Sequence, residues 1–478
     1  VKITLVTPPS GFLLDERVFL TLGILKVGAV LKQAGYNVDH LDLSGVANYA
    51  EAARDYRGSP DVFAFTATTP QMPAAVALRR AVGGRAILGG PHVTLVQAAT
   101  RQNNPRARKA LDNLLASFDI LVAGDGEKAI FPALTTHRGV IDADNPLSSL
   151  WQSSGDFGAS PWPDRSLVDV GSYHYAVDGR AALSLVSQLG CPFACAFCGG
   201  RNSAMLRRIR TRSAESVLDE MLHLHSAYGV TGLMFYDDEL NVNRGMVDLM
   251  RKIRDTGIDW RLRGFVKSEL FTDEQAEAMY AAGFRWLLCG FEAAHPRILR
   301  NINKKATVED NTRMLQTAHK YGIKVKALMS IGHPAESEET IYAMRDWLIE
   351  HKPDDFDCTV ITVYPGTPYY DNSVEVAPGV WCFETHGDKL YSDDVDFSTE
   401  EAYYKGKPGE YHAFVWTDFL TRERLAQLRD EVEAEVREKL GIPYPTAAAA
   451  VLYDHSMGQQ LPSHILRSAR SPSLLSAL

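Results

Sequence analysis

Three cysteines crowd into eight residues, Cys191-Pro192-Phe193-Ala194-Cys195-Ala196-Phe197-Cys198, while Cys289, Cys358 and Cys382 lie scattered elsewhere in 478 positions. With cysteine at about 1% of residues, a chance C-x3-C-x2-C in such a chain has odds of roughly one in a thousand. Three thiolates on one short loop can bind three corners of an iron–sulfur cubane and leave one iron open to another ligand. A zinc site would need a fourth ligand, and the nearest candidates, His223 and His225, fall in a predicted helix. Structural burial of the thiols is the third reading. Cys289 and Cys358 sit in apolar runs and read as core, which leaves Cys382 as the one outlying thiol worth testing for reactivity.

Such a loop needs a strand to deliver it and other strand ends to face it. Strands are predicted at 183–188, 232–236, 260–266, 284–290, 324–331 and 357–363, alternating with helices at 214–228, 244–255, 273–282, 308–321 and 338–351. Six repeats are too few for a closed eight-fold barrel and suit an open partial barrel, with its site at the carboxyl ends of the strands. Upstream, β-rich runs at 2–7, 37–43, 61–67, 85–88 and 120–123 alternate with helical patterns at 22–33 and 73–82, both stopped by glycine. That rhythm implies a parallel sheet covered on both faces, which binds ligands at its carboxyl edge. The residues expected there are Pro8-Pro9-Ser10, Thr66 to Thr69, Gly89-Gly90-Pro91-His92 and Gly124-Asp125-Gly126-Glu127. They are small, polar or glycine-rich, as the approach of a large polar ligand requires, although each alone also fits an ordinary turn.

The chain therefore divides into an α/β unit over 1–140, a Ser-, Gly- and Pro-rich linker over 141–180, a barrel over 181–372 and a tail over 373–478. The tail is expected to be mainly helical, since a helical pattern over 422–440 is its clearest element. Lys and Arg number 50 against 59 Asp and Glu, a net charge of −9, which argues against a general nucleic-acid binder. No apolar run reaches about 18 residues, so no membrane span is expected. The first residues read as a strand and not as a signal peptide, and a cytoplasmic location is expected.

The cysteine loop, ending the first strand of a partial barrel, resembles the radical S-adenosylmethionine superfamily. With a Rossmann-like cobalamin-binding domain before it, the chain resembles the cobalamin-dependent members over about residues 1–370. The resemblance implies that Cys191, Cys195 and Cys198 hold a 4Fe-4S cluster. It implies S-adenosylmethionine contacts at Phe197 and Gly199 in the loop, at Asp237, Asp238 and Glu239 after the second strand, and at Glu292 after the fourth. Ile298, Leu299, Lys304 and Thr307 continue the family's usual phrase after that strand. The run Ile331-Gly332-His333-Pro334-Ala335-Glu336 is similar to the family's Gly-x-Pro-Gly-Glu, with Ala335 in place of the second glycine. Gly332, Glu336 and Pro365 complete the implied S-adenosylmethionine set. Cobalamin contacts are implied at Pro9, Ser10, Thr66, Thr68, Thr69, Gly89, Gly90, His92, Gly124, Gly126 and Glu127. No Asp-x-His-x-x-Gly run supplies an axial histidine, so base-off cobalamin is expected. His92 is a candidate cobalt ligand, against its reading as a hydrogen-bonded turn residue.

The resemblance implies a methyltransferase acting on an unactivated carbon, in which a 5′-deoxyadenosyl radical takes a substrate hydrogen and methylcobalamin delivers the methyl group. Two molecules of S-adenosylmethionine would be consumed, and an external low-potential electron donor would be needed. One alternative keeps these cofactors but performs a cyclisation or ring rearrangement; another is a non-catalytic corrinoid- or metal-binding protein. A small-molecule or peptide substrate and a monomeric state are expected. Tyr403, Tyr404, Tyr411, His412 and Trp416 either line the substrate cavity or form the tail's own core.

Overall fold

A computed structural model of the chain describes residues 1–10, 16–400, 402–403, 411–443, 451–454 and 464–469. Its first unit is a parallel sheet of β1 (Lys2–Thr7), β2 (Asn37–Asp42), β3 (Val62–Thr66), β4 (Arg85–Gly89), β5 (Ile120–Ala123) and β6 (Gly139–Asp142), in the order β2-β1-β3-β4-β5-β6. Ile3, Leu5, Phe63, Phe65, Ile87 and Leu121 are buried, as expected of strands covered on both faces. The covering helices are α1 (Leu22–Gln33), α2 (Tyr49–Arg54), α3 (Met72–Val82), α4 (Pro91–Arg101), α5 (Pro105–Ser117) and α6 (Gly126–Thr135).

Of these helices, the sequence reading found only α1 and α3. In α4, His92, Val93, Thr94, Leu95, Val96, Ala98 and Ala99 are all buried, and the polar face is confined to Gln97, Thr100 and Arg101 in its last two turns, a weak mark of a helical period. The signals that were present are Pro91 and Pro105, each opening its helix, with Asn104 accepting from the Arg106 and Ala107 N–H groups. Residues 139–142, at the edge of the expected linker, form the half-buried β6. Nor is the linker slack. Arg165 pairs with Glu220 at 3.1 Å and donates to the Ser184 carbonyl at 2.8 Å, all three residues being buried.

The second unit is the expected half-barrel. Its six parallel strands are β7 (Arg180–Leu185), β8 (Gly232–Phe235), β9 (Arg261–Phe265), β10 (Phe284–Glu292), β11 (Lys324–Ile331) and β12 (Asp355–Val360), side by side in chain order, with a short antiparallel strand Ala176–Val177 beyond β7. The convex face, carrying Leu233, Phe235, Leu287, Val325 and Ala327, packs under α7 (Ala214–Tyr228), α8 (Met246–Asp255), α9 (Asp273–Ala282), α10 (Val308–Lys320) and α11 (Glu338–His351). The concave face carries Met234, Phe265, Trp286, Leu288 and Leu328.

The tail departs from the mainly helical expectation. Before α12 (Arg422–Leu440) come four antiparallel strands, β13 (Val374–Ala377), β14 (Val380–Thr385), β15 (Asp388–Asp393) and β16 (Val415–Thr417). The hairpins turn at Pro378-Gly379 and His386-Gly387, where Gly379, His386 and Gly387 have φ of 74°, 53° and 80°, the left-handed geometry of tight hairpin turns. Tyr404 lies outside the described residues. No described helix is long and apolar enough to cross a membrane.

Candidate active site

The cysteine loop is tied down by its backbone, and its three thiols form no disulfide. Cys191 N–H donates to Leu206 O at 3.0 Å and Ala196 N–H to Ile302 O at 2.8 Å, and Ala194 O accepts from Asn303 Nδ2 at 2.8 Å. Arg201 Nη2 reaches Cys191 O at 3.1 Å, and Tyr369 N–H reaches Ala196 O at 3.2 Å. All three cysteines are free thiols, and burial pushes Cys191 up to about 11 and Cys195 also upward. Among the described residues no three His, Cys, Asp or Glu side chains converge on one ion. A zinc site needs such convergence at about 2 Å per ligand, whereas the ligands of a cubane bind separate irons. The zinc candidates are engaged elsewhere: His223 lies 5.3 Å from the Trp162 ring and His225 Nδ1 is 3.0 Å from Val230 O. The donor set thus fits a cluster.

After β8, three consecutive acids take different roles. Asp237, buried, accepts the Ser187 N–H at 2.7 Å and the Ser187 hydroxyl, and Asp238 accepts the Gly190 N–H at 3.0 Å. Both therefore hold the turn that leads into the cysteine loop. Glu239 keeps a buried Oε2 with no partner among the described residues, and burial raises its carboxyl to about 7. A cationic group such as the ammonium of a bound amino acid would complete it.

Glu292 ends β10 with φ 66°, a backbone state that costs a non-glycine residue energy and collects at functional sites. Lys304 Nζ lies 3.2 Å from its Oε1, and the Ser330 hydroxyl donates to Oε2 at 2.9 Å. Ser330 Oγ, its proton spent, accepts from His333 Nε2 at 2.8 Å, so His333 Nδ1 accepts the Tyr369 hydroxyl proton at 3.2 Å. Burial drives His333 down to about 3, so the imidazole is neutral. The Phe197 ring packs edge-on against it at 5.2 Å. This oriented chain ties Glu292 to the cysteine loop through Tyr369. Glu336 faces inward, accepting from Gly332 N, His333 N and the Thr340 hydroxyl; it shapes the turn after β11. Gly366, beside Pro365, receives the Arg201 N–H at 3.2 Å; a Cβ at Gly366 would come to 3.0 Å from the Leu95 carbonyl oxygen of α4, and one at Gly199 would touch the Leu95 side chain.

Sequence reasoning missed Lys267. It is buried after β9, 2.8 Å from Glu269, with its ammonium 4.3 Å from the Phe193 ring of the cysteine loop. The available signal was a lysine two residues past a strand end, after Phe265-Val266.

At the carboxyl edge of the first sheet, Ser10, Thr66, Thr68, Thr69, Gly90 and His92 come together at the ends of β1, β3 and β4. Gln71 Nε2 donates to the carbonyl of Pro8, before Pro9, at 2.8 Å. Gly90 has φ 104°, and a Cβ there would meet Ala67 N and O at 2.8 Å; Gly89 precedes it with ordinary room. His92 is 3% exposed, its Nδ1 3.1 Å from Thr69 Oγ1, and burial lowers it to about 4. Gly124, Gly126 and Glu127 have contacts within the chain. Gly124 N–H donates to Thr94 Oγ1 at 2.9 Å, a Cβ at Gly126 would strike Val27, and Glu127 pairs with Lys26 at 3.2 Å. Between them Asp125 meets Arg210 of the second unit.

In the tail, Tyr403 is buried against Tyr364 and Phe397, and Phe397 lies 6.3 Å from His92. Tyr411 donates to Ala426 O and Asp430 within the tail's own core, Trp416 stacks on Tyr391, and His412 is exposed.

Residues 185–348 match the radical SAM superfamily. An uncharacterized methyltransferase of Pyrococcus horikoshii is 26% identical over 400 residues, covering 78% of this chain and 83% of its own. The anaerobic magnesium-protoporphyrin IX monomethyl ester cyclase of Rubrivivax gelatinosus is 26% identical over 335 residues, 64% of this chain and 57% of its own. The radical S-adenosylmethionine methyltransferase TsrM from Kitasatospora setae, solved with cobalamin and a [4Fe-4S] cluster bound, superposes with a TM-score of 0.62 at 19% identity over 81% of each chain.

Proposed function

We propose that this chain, which carries a radical SAM domain over residues 185–348, is a cobalamin-dependent radical S-adenosylmethionine methyltransferase that acts on an unactivated carbon. The observation that carries the reading is the cysteine loop, whose backbone is fixed by Leu206, Ile302, Asn303, Arg201 and Tyr369 while its three thiols form no disulfide. When bound, the cluster with S-adenosylmethionine would supply a 5′-deoxyadenosyl radical, and the corrinoid a methyl group. Cys191, Cys195 and Cys198 would hold the cluster. Glu239, whose Oε2 has no partner among the described residues, would take the amino group of S-adenosylmethionine, Glu292, held by Ser330 and Lys304, would take the ribose, and Phe197 would lie against the adenine. Asp237, Asp238 and Glu336 keep these groups in place. Ser10, Thr66, Thr68, Thr69, Gly90 and His92 would receive the corrinoid, where the strand order switches between β1 and β3. We place the protein in the cytoplasm as a monomer served by an external low-potential electron donor. The cyclase relative keeps ring formation as a second reading.

Anaerobic reconstitution tests the cofactors. About four irons and one base-off corrinoid per chain are expected, with cluster absorbance lost on Cys→Ala change at any of the three positions. Zinc in place of iron would sink the proposal. With the right substrate, 5′-deoxyadenosine, S-adenosylhomocysteine and a methylated product should appear together; a product without the methyl group would favour cyclisation.

A further inference from the structure

The concave face of the half-barrel carries a cation that no described residue neutralises. Arg263, in the middle of β9, donates through Nη1 to the Tyr175 hydroxyl at 3.5 Å, and its Cζ lies 5.8 Å from the Trp286 ring centroid. Its Nε is buried without an acceptor, and among the described residues no carboxylate pairs with it. Its neighbours are treated differently: Arg261 pairs with Asp178 and Asp259, and Lys326 with Asp355 and Asp357. A half-buried guanidinium beside aromatic rings with an unmet donor is costly unless a ligand brings the acceptor.

The wall around it is apolar. In register, Arg263 faces Met234 and Trp286, and Phe265, one step nearer the mouth, faces Leu288. Tyr236 continues β8 at that level and is 51% exposed. Phe19, from the segment after β1, covers it with ring centroids 4.6 Å from Tyr175 and 5.3 Å from Tyr236. Lys267, four residues beyond Arg263 and so about 13 Å along the strand, touches the cysteine loop at Phe193. The face thus runs from an unpaired cation, along aromatic rings, to the cysteine loop.

We propose that this face is the substrate pocket, that its occupant is an elongated aromatic or apolar carboxylate, and that Arg263 receives the carboxylate while the reacting carbon lies at the mouth. One planar guanidinium matches one carboxylate in charge and geometry; a phosphate dianion would call for more donors than the pocket holds. The proposal rests on the half-barrel being the catalytic unit.

The test is equilibrium binding to the reconstituted full chain by titration calorimetry. The probes are indole-3-propionate and naphthalene-2-acetate, each against its primary amide, with naphthyl phosphate as a further arm. The acids are expected to bind at least about tenfold tighter than the amides. Arg263→Gln should bring acid and amide within about twofold, and Arg263→Lys should keep part of the preference. Phe19→Ala should weaken acid and amide alike. Acid and amide binding equally to the unaltered chain, preference surviving in Arg263→Gln, or tighter binding of the phosphate would each overturn the proposal. If Arg263→Gln does not fold, the unaltered chain and Arg263→Lys still decide it. Iron content and reductive cleavage of S-adenosylmethionine, measured on the same preparation, report on the parent reading separately. A chain with four irons and no acid preference loses the carboxylate pocket alone.

Discussion

Burial raises the Glu336 carboxyl from 4.5 to about 7, against hydrogen bonds from Thr340, His333 and Gly332 that pull it down. The unfolded chain gives up that proton near pH 4.5, and the folded chain keeps it to about 7. The retained proton therefore stabilises the fold fully below pH 4.5, and that contribution, on the order of 3 kcal/mol, is lost as the pH rises through 7. The thermal midpoint should fall between about pH 5 and pH 8, and Glu336→Gln should flatten that fall. An equal slope in the variant would assign the pH dependence to other groups. At this scale the sequence was most informative where chemistry is local. Three thiols in eight residues and acids after Phe235 and Phe291 declare themselves through spacing. Arg263, Lys267 and His333 do not, because what marks them is the presence or absence of a partner on another strand. Glu336 stands out by its motif, and its carboxyl group also braces the turn after β11.

The turn after β11 shows how one backbone angle weighs on an element. Ala335 has φ 74°, where an L side chain costs roughly 1–2 kcal/mol and glycine costs little. Ala335→Gly should therefore stabilise the chain by up to about 1 kcal/mol, the relieved strain exceeding the added freedom of the unfolded chain. Denaturant unfolding of the two proteins would check it, and a loss of stability would mean that the Ala335 methyl packs too well to give up. The half-barrel elements were legible because each strand is apolar on one face, and Ser213, Thr272, Thr307 and Ser337 cap and mark four of the five helix starts. The tail hairpins carried their turn residues in plain view but lacked a long alternating run, and β13 is exposed throughout.

Long-range contacts join the units into one body. Arg106, on α5, is sandwiched between Tyr370 at 4.0 Å and Trp381 at 4.3 Å, with Asp394 at 3.2 Å. Arg106→Ala should cost about 1–2 kcal/mol, mainly from lost stacking between the two rings, since Lys109 still faces the partly exposed Asp394, and amide exchange in β13–β15 should quicken while β7–β12 stay protected. Unchanged exchange there would show that the tail docks without it. None of this was readable in sequence, since Arg106 and Trp381 stand 275 positions apart. A stricter bond lies at Leu95. It lies three residues after His92, about 4.5 Å of axial rise, and its side chain sits in the notch beside Gly199 and Gly366. The two sheets look like interchangeable modules, but this notch works like a keyed joint. A chimera with a foreign first sheet would need a side chain of the same reach at the same turn of its fourth helix, and a single residue inserted between His92 and Leu95 would swing the key by about 100° out of its slot. The two halves of this molecule can therefore be shuffled only as a matched pair.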